Sequence, residues 1–169
     1  MEYSGIFNEL LYNKDVFRDL LTGAPQKMYV WKQSPEKWCL LEIVCHLYDE
    51  EREDFRARTK QILETPSIHL TPIDPQGWVV SRKYMEQDYQ EMLNKFLVER
   101  DQSITWLRNL EAPDWNSSYH HEKFGPMSAK FLLANWLAHD YLHFRQITKL
   151  KYDYLKHTTG EDIGYAGNW

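Results

Sequence analysis

Proline and glycine divide this chain into four long segments, and their positions constrain the fold more than any other feature. The breaks lie at Gly23 to Pro25, between Pro66 and Gly77, and between Pro113 and Pro126. Helices end near such residues, because proline lacks a backbone donor and glycine loses much conformational freedom in a helix. The sequence shows no strand-like alternation of any length. It therefore predicts an all-α protein.

Each of the four segments has the apolar spacing of a helix with one buried face. The predicted helices run from about Tyr3 to Leu21, Leu40 to Glu64, Ser81 to Leu110 and Ala129 to Leu155. Ser81 and Ser128 are candidate N-caps of the last two helices, because a serine side chain can accept a bond from a free amide. The third helix would bury Met85, Tyr89, Met92, Phe96, Leu107 and Leu110. Such segments predict a four-helix bundle with long connecting loops, and the long second connection leaves open whether the order is up-and-down.

Length and charge bound the organisation of the chain. At 169 residues it is long enough to bury a full core, and residues 1–169 are expected to form a single domain. Twenty basic residues stand against 25 acidic ones, and the net charge is −5. Nucleic-acid binding needs clustered Lys and Arg, and no basic stretch stands out, so we expect no nucleic-acid partner.

Other features indicate a protein of the reducing cytoplasm. The two cysteines, Cys39 and Cys45, are six residues apart on one predicted helix and too far separated to form a disulfide. The amino-terminal residues lack the charged and apolar regions of a signal peptide. No uncharged run approaches the roughly 18 residues that span a bilayer. We therefore expect a cytoplasmic protein that does not contact a membrane.

Two histidines four residues apart, His139 and His143, suggest a metal site. At about 3.6 residues per turn they lie one above the other on a single helix face. Their stripe has leucines at both ends, so we expect it to face the neighbouring helices. A third histidine, His46, lies between apolar residues of the second predicted helix. If the fold joins these helices, three imidazoles could hold one metal and leave a position open for chemistry.

Polar neighbours of these histidines allow competing interpretations. Asn135 and Gln146 lie one turn away on either side of the pair, where they could orient the outer ring nitrogens or satisfy the histidines without a metal. Glu50 and Asp49, about one turn beyond the third histidine, could bond an imidazole, supply a fourth ligand or act as a general base. Both could equally belong to a solvated acidic face, because residues 49–54 are almost entirely charged. The other histidines are expected at the surface: His69, His120, His121 and His157.

Two separate motifs carry a resemblance to a known family. The first is Trp31-x₃-Pro35-x₂-Trp38, followed by Leu-Glu-Ile-Val-Cys-His-Leu-Tyr-Asp-Glu-Glu at residues 41–51. The second begins at Gly-Pro-Met-Ser, residues 125–128, and continues through Leu-Ala-Asn-Trp-Leu-Ala-His-Asp-Tyr-Leu-His-x₂-Gln-Ile at residues 133–147. Both are similar to helices of the DinB/YfiT-like four-helix metalloproteins, with looser similarity across the third predicted helix. Cys39 stands where that family often has a serine, which puts a helix cap in doubt but leaves the ligand set unaffected.

The resemblance implies a site, an architecture and an activity. It assigns His46, His139 and His143 as metal ligands, and it brings the second and fourth helices together. Known relatives include thiol S-transferases, which conjugate low-molecular-weight thiols to electrophiles, and a maleylpyruvate isomerase that depends on mycothiol. Others are described as metal-dependent hydrolases without a proven substrate. Family members are often dimers, so a homodimer is expected.

The leading hypothesis is therefore a metal-dependent enzyme. A three-histidine site with open positions can bind water or a thiol, lower its pKa and direct it at a small electrophilic substrate. Imidazole ligands favour zinc or nickel, with iron as a further candidate, over magnesium or calcium. The resemblance favours thiol transfer over hydrolysis, with a low-molecular-weight thiol as cosubstrate. Glu50 is the candidate assisting base.

Two other hypotheses remain open. The first is a non-catalytic metal-binding or stress-related helical interaction protein, in which the metal is a staple or a sensor. The second is an acidic helical interaction module without any metal. A structural zinc site is usually closed by four protein ligands, so three histidines without a fourth ligand favour catalysis.

Overall fold

The computed structural model describes residues 3–167 and 169, and this part of the chain is mostly helical. The helices are α1 (Tyr3–Leu21), α2 (Gln26–Tyr29), α3 (Leu40–Asp49), α4 (Arg56–Glu64), α5 (Pro75–Ser81), α6 (Tyr89–Arg108) and α7 (Ala129–Thr159). A π-helical segment, Glu50–Phe55, joins α3 to α4 without a break, so the three form one long α3–α4 helix. The remaining elements are two short helical turns, Tyr84–Glu86 and Gly164–Ala166, and the strands β1 (Ser118–His121) and β2 (Gly125–Ser128).

The four long helices, α1, the α3–α4 helix, α6 and α7, form a bundle, which confirms the predicted all-α four-helix fold. α1 packs against α6 and α7, and the α3–α4 helix packs against the same two helices. The first and second long helices therefore occupy diagonal corners, although they follow one another in the chain. This order places the second long helix beside the fourth, where the histidines of the two sequence motifs can meet.

The centre of the bundle is formed by α3, whose residues from Leu40 to Leu47 are all buried. Such a helix needs partners on every side, which explains why it lies deepest. Its one early acidic residue, Glu42, accepts a bond from Lys32 Nζ at 2.7 Å and another from the backbone N–H of Cys39 at 2.9 Å. The second bond satisfies a free amide at the start of α3. Glu42 therefore helps to cap this helix, although the cysteine at position 39 had put its cap in doubt. Within the described residues, no helix combines the length and apolar composition that crossing a bilayer requires.

The third long helix begins later than the sequence predicted. Ser81 is the last residue of α5 rather than an N-cap, and α6 begins at Tyr89. Between them the backbone of Lys83 is left-handed, with φ of 51°, so a single helix cannot run through this point. Asp88 is the N-cap instead, because its carboxylate accepts a bond from the backbone N–H of Glu91 at 2.7 Å.

This later start changes part of the predicted buried face. Met85 is exposed, because it lies in the turn before α6, and Leu110 is half-buried beyond the end of the helix. The other members of the predicted face are buried: Tyr89, Met92, Phe96 and Leu107. The apolar spacing was therefore correct inside the helix and failed only outside its ends.

The fourth long helix starts where the sequence predicted and ends later. The hydroxyl of Ser128 accepts a bond from the backbone N–H of Phe131 at 3.1 Å, which makes it the N-cap of α7. The helix continues past Leu155 to Thr159 and stops at Gly160, whose φ of 69° suits a glycine and terminates the helix. The polar last turn gave no apolar signal for these extra residues.

The prediction that the chain has no strands is wrong in the loop before α7. Strands β1 and β2 pair in antiparallel register, with Ser118 opposite Ser128 and His121 opposite Gly125. Only Tyr119 and Met127, which lie opposite each other, are buried in this hairpin. With one buried residue in each four-residue strand, the alternation was too short to recognise in the sequence.

Candidate metal centre

Three histidines from two helices meet where α3 faces α7. His46 lies on α3, and His139 and His143 lie one turn apart on α7. The Nε2 atom of His139 is 3.2 Å from Nε2 of His46 and 3.0 Å from Nε2 of His143. One donor atom from each ring lies within 4.8 Å of the other two. The convergence expected from the sequence is therefore confirmed.

The spacing of the three rings fits a metal ion. Zinc–nitrogen bonds of about 2.0–2.1 Å place two tetrahedral nitrogen ligands about 3.4 Å apart. The observed separations of 3.2 and 3.0 Å are slightly shorter, so a small outward movement of the rings would admit an ion. Three imidazole nitrogens suit zinc, nickel or iron better than the oxygen-seeking magnesium or calcium. The three side chains therefore have the chemistry and the dimensions of a transition-metal site.

Burial keeps the three imidazoles neutral. It lowers the pKa of His46 to about 3, with a smaller effect from the charge of His143. Burial also lowers the pKa of His143 to about 4. The pKa of His139 falls well below its ordinary value, first through burial and then through the two neighbouring histidines. Because metal ligation requires an unprotonated nitrogen, the cluster is in its ligand form at neutral pH.

Aromatic rings pack against two of the three histidines. The Trp38 ring lies 4.7 Å from the ring of His46, and the Phe55 ring lies 5.0 Å from that of His139. Phe55 also stacks on Trp136, with 5.8 Å between ring centroids. Phe55 ends the π-helical segment, which accommodates an extra residue and rotates the following side chains relative to an α-helix. This local irregularity is one reason that the second long helix presents both His46 and Phe55 to α7.

A buried ionic network lies next to the histidines and was not predicted from the sequence. Arg100 of α6 donates two bonds of 2.8 Å to Asp140 of α7 and one bond of 2.9 Å to Glu51 of the π-helical segment. Asn13 of α1 donates to Asp140 at 3.1 Å, and the indole of Trp136 donates to Glu51 at 2.9 Å. All five side chains are buried. The network therefore joins all four long helices.

This network sets the rotation of α7 around its axis. Asp140 follows His139 directly, and the bidentate bond to Arg100 fixes the plane of its carboxylate. A signal in the sequence could have revealed Arg100, which lies four residues after Phe96 and four before Ile104, both apolar. A cation on an apolar helical stripe requires a buried partner, and its partner Glu51 lies in the charged run 49–54, which was also compatible with a solvated face.

Two predicted polar neighbours of the histidines bond elsewhere. Asn135 is exposed and donates to the backbone carbonyl of Phe131 at 2.8 Å. Asp49 accepts bonds from the Tyr84 hydroxyl at 2.7 Å and from Arg82 at 2.8 Å, so it anchors the segment before α6. The structure gives neither residue a bond to a histidine within the described part of the chain. Gln146, the third predicted neighbour, lines the same pocket as His143.

Glu50 is buried near the histidines but lies outside the convergent donor set. Among the described residues, that set consists of His46, His139 and His143. Burial raises the pKa of Glu50, and the adjacent Asp54 carboxylate raises it further. The buried carboxyl therefore favours its protonated form at neutral pH. Its predicted role as an assisting base stays a prediction.

The other histidines take no part in the cluster. His69, His120 and His157 are exposed, as the sequence predicted, whereas His121 is half-buried. His69 is hydrogen-bonded to the Tyr119 hydroxyl at 2.6 Å. The Nδ1 atom of His121 accepts a bond from a backbone amide of the hairpin turn.

A pocket of about 470 Å³ opens beside the histidine cluster. His143 forms part of its wall, and Trp38, which covers His46, forms another part. Its volume is that of a site for a small organic molecule. The histidine cluster therefore lies between the helices of the bundle, with this pocket next to it.

Comparisons with known proteins show a family and a similar fold. The family model of the DinB superfamily matches residues 9–147, which include all three histidines. Among solved structures, the chain is similar to YfiT from Bacillus subtilis, described as a probable metal-dependent hydrolase with an unusual four-helix bundle topology. The TM-score is 0.78 at 15% identity, and the match covers 95% of this chain and 89% of that one. At this identity the likeness is one of fold. No curated protein matches the chain.

Proposed function

The chain belongs to the DinB superfamily, and we propose that it is a metal-dependent enzyme acting on a small electrophilic substrate. One observation carries the proposal: the Nε2 atoms of His46, His139 and His143 converge, and burial keeps all three rings neutral. The structural likeness to YfiT, described as a probable metal-dependent hydrolase, supports it. Zinc and nickel are the preferred ions, with iron as a third candidate.

The surroundings of the cluster favour catalysis over a purely structural ion. A structural zinc site usually has four protein ligands, whereas three histidines form the convergent set in the described chain. When bound, the ion would supply positive charge that lowers the pKa of a thiol or water molecule toward neutrality. The three neutral imidazoles would hold it without cancelling that charge, and the adjacent pocket would hold the electrophile. The resemblance favours a low-molecular-weight thiol over water as the attacking group.

In this proposal, the carboxyl group of Glu50 carries a proton. Burial and the Asp54 carboxylate raise its pKa, which favours the protonated carboxyl and a role as proton donor. It lies one turn from His46 on the same long helix, outside the ligand set. We therefore expect Glu50→Gln to retain the metal and to lower turnover.

Metal content tests the proposal directly. Protein purified without an affinity tag should carry about one equivalent of a transition metal, and His139→Ala should carry less than about a tenth. His120→Ala is the matched control, since this exposed histidine lies outside the cluster and should keep its metal. Turnover should vanish in His139→Ala while the variant stays folded.

Two results would contradict this function. Less than about a tenth of an equivalent in the unaltered protein, even after reconstitution, would favour a helical interaction module without metal. A His139→Ala variant that loses thermal stability but retains turnover would show that the metal only holds α3 to α7 and takes no part in catalysis. The homodimer and the cytoplasmic location stay predictions from the sequence.

A further inference from the structure

The pocket beside the histidine cluster has direct access to one of the three rings. His143 lines the pocket, and its Nε2 atom lies 3.0 Å from that of His139. Trp38 also lines the pocket, and its ring centroid lies 4.7 Å from that of His46. A molecule in this pocket would therefore contact the walls of the histidine site. The side chains around its mouth consequently select what reaches the site.

Cations outnumber anions around this pocket, although the chain as a whole carries a net charge of −5. Lys37, Arg145 and Lys149 line it, together with one acidic residue, Asp153. Lys149 is paired with Asp153, so those two charges compensate each other. Lys37 and Arg145 are exposed, and neither forms an ion pair with a described residue. The lining of the pocket therefore carries two positive charges that no carboxylate of that lining pairs with, since the Glu36 carboxylate beside Lys37 lies outside it.

The helical position of Arg145 leaves its charge free. The residues three and four positions away on α7 are Tyr141, Leu142, Thr148 and Lys149, and none of them is acidic. A cation on a helix surface can pair with a carboxylate at such a spacing, as Lys149 does with Asp153. Arg145 instead faces the pocket that it lines. An arginine in this situation is available for bidentate binding of a carboxylate or phosphate.

The rest of the pocket wall is largely apolar. Trp38, Leu142, Leu150 and Trp169 contribute to it. An adjoining pocket of about 580 Å³ shares Lys149 and Trp169 and adds the rings of Trp31 and Tyr152. Aromatic and aliphatic walls with a few charged groups are the usual arrangement for binding a small organic molecule in one orientation. A fitting ligand has an apolar body and a negatively charged group.

We propose that Lys37 and Arg145 bind an anionic group, a carboxylate or a phosphate ester, of the small molecule that reacts at the histidine cluster. This inference rests on the proposed function and names the class of its substrate or cosubstrate. The two cations hold the charged group at the mouth, while the apolar body extends along Trp38 toward His143. Neutral molecules of the same shape bind more weakly, because they gain only the apolar contacts.

A pair of fluorinated probes tests this proposal. Fluorine NMR measures the dissociation constants of para-fluorobenzoate and of para-fluorobenzamide, its neutral counterpart of nearly equal shape. The protein carries its native metal, and each sample is also analysed for metal content. We expect the benzoate to bind about tenfold more tightly than the benzamide, as a charge-assisted hydrogen bond provides. Equal affinities for the two probes would overturn the inference.

Matched variants locate the selectivity. The double variant K37Q/R145Q should lose the preference for benzoate and keep its affinity for benzamide. The control K60Q/K123Q removes the same number of positive charges from exposed lysines outside the pocket, and it should keep the preference. A preference for benzoate that survives in K37Q/R145Q would show that the metal or the electrostatic field of the whole protein attracts the anion. It would overturn the assignment of the anion site to Lys37 and Arg145.

Metal content separates the failure of this inference from that of the proposed function. One equivalent of metal without an anion preference overturns the anion site alone. An anion preference that depends on Lys37 and Arg145, in protein that takes up no metal even after reconstitution, supports the anion site and contradicts the metal-dependent enzyme.

Discussion

Arg100 shows how strongly one residue can determine this bundle. Its guanidinium is 1% exposed and contacts carboxylates from the π-helical segment and from α7. A buried charge is tolerated only while its partners satisfy it, because desolvation of each ion costs several kcal/mol. The partners, Glu51 and Asp140, are equally buried and would be left facing each other without the arginine. Arg100 therefore belongs to the stability of the bundle and also to the orientation of His139.

Replacing Arg100 by methionine should destabilise the fold severely. We expect R100M to lower the free energy of unfolding by about 3–5 kcal/mol, because two buried carboxylates lose their counterion. Lys14→Ala, which removes the partly exposed ion pair with Asp101, should cost less than about 1 kcal/mol. Urea denaturation of both variants measures the difference. If R100M lowers the free energy of unfolding as little as Lys14→Ala does, the buried ionic network contributes little to stability.

Among single residues, the sequence indicated the three histidines but not the buried charged side chains around Arg100. His139 and His143 stand out because their spacing matches a helical turn. His46 stands out because it lies between apolar residues of another predicted helix, and the resemblance assigned it as the third ligand. Glu51 stands in an acidic run, where it looks like part of a solvated surface. Burial of such a charge depends on which helices become neighbours, and no local pattern contains that information. The diagonal arrangement of the first two long helices likewise leaves no local pattern in the sequence.

Among the elements, helix ends decided where the sequence prediction failed. Four long helices follow from the positions of proline and glycine, and three of their starts were correct. The start of α6 was misplaced, because a left-handed residue, Lys83, gives no signal of its own when it is not glycine. Asp88 and Ser81 are both good capping residues, and only the backbone conformation distinguishes them.

The two candidate caps of α6 can be compared by mutation. Asp88→Ala should lower the free energy of unfolding by about 1 kcal/mol, since the Glu91 amide loses its acceptor. Ser81→Ala should change it by less than about 0.5 kcal/mol, because this exposed residue ends α5 and caps nothing. Thermal unfolding followed by circular dichroism provides the measurement. A larger effect at Ser81 than at Asp88 would contradict the observed helix start.

For the whole molecule, the histidine cluster connects two long helices that are distant in sequence. His46 and His139 are 93 residues apart, and the unfolded chain cannot keep their rings together. An ion that binds only the folded state stabilises it by mass action. Metal binding and folding are therefore expected to be linked.

Metal should raise the melting temperature of the protein. With free zinc or nickel at about a hundred times its dissociation constant, the gain is about 2.7 kcal/mol, which corresponds to roughly 5–10 °C for a chain of this size. Differential scanning calorimetry with added metal and with a chelator measures the shift. His139→Ala, with its ligand set broken, should melt at the same temperature under both conditions. A rise of equal size in that variant would place the stabilising ion elsewhere.

The separation of the histidines along the chain also sets an order of events during synthesis. His46 leaves the ribosome early, whereas its two partners belong to the last of the four long helices. A nascent chain that ends before α7 holds a single imidazole of the set and cannot retain an ion. An ion can therefore be held by all three histidines only after α7 has been synthesised, so ribosome-bound chains shorter than that should not compete for the metal.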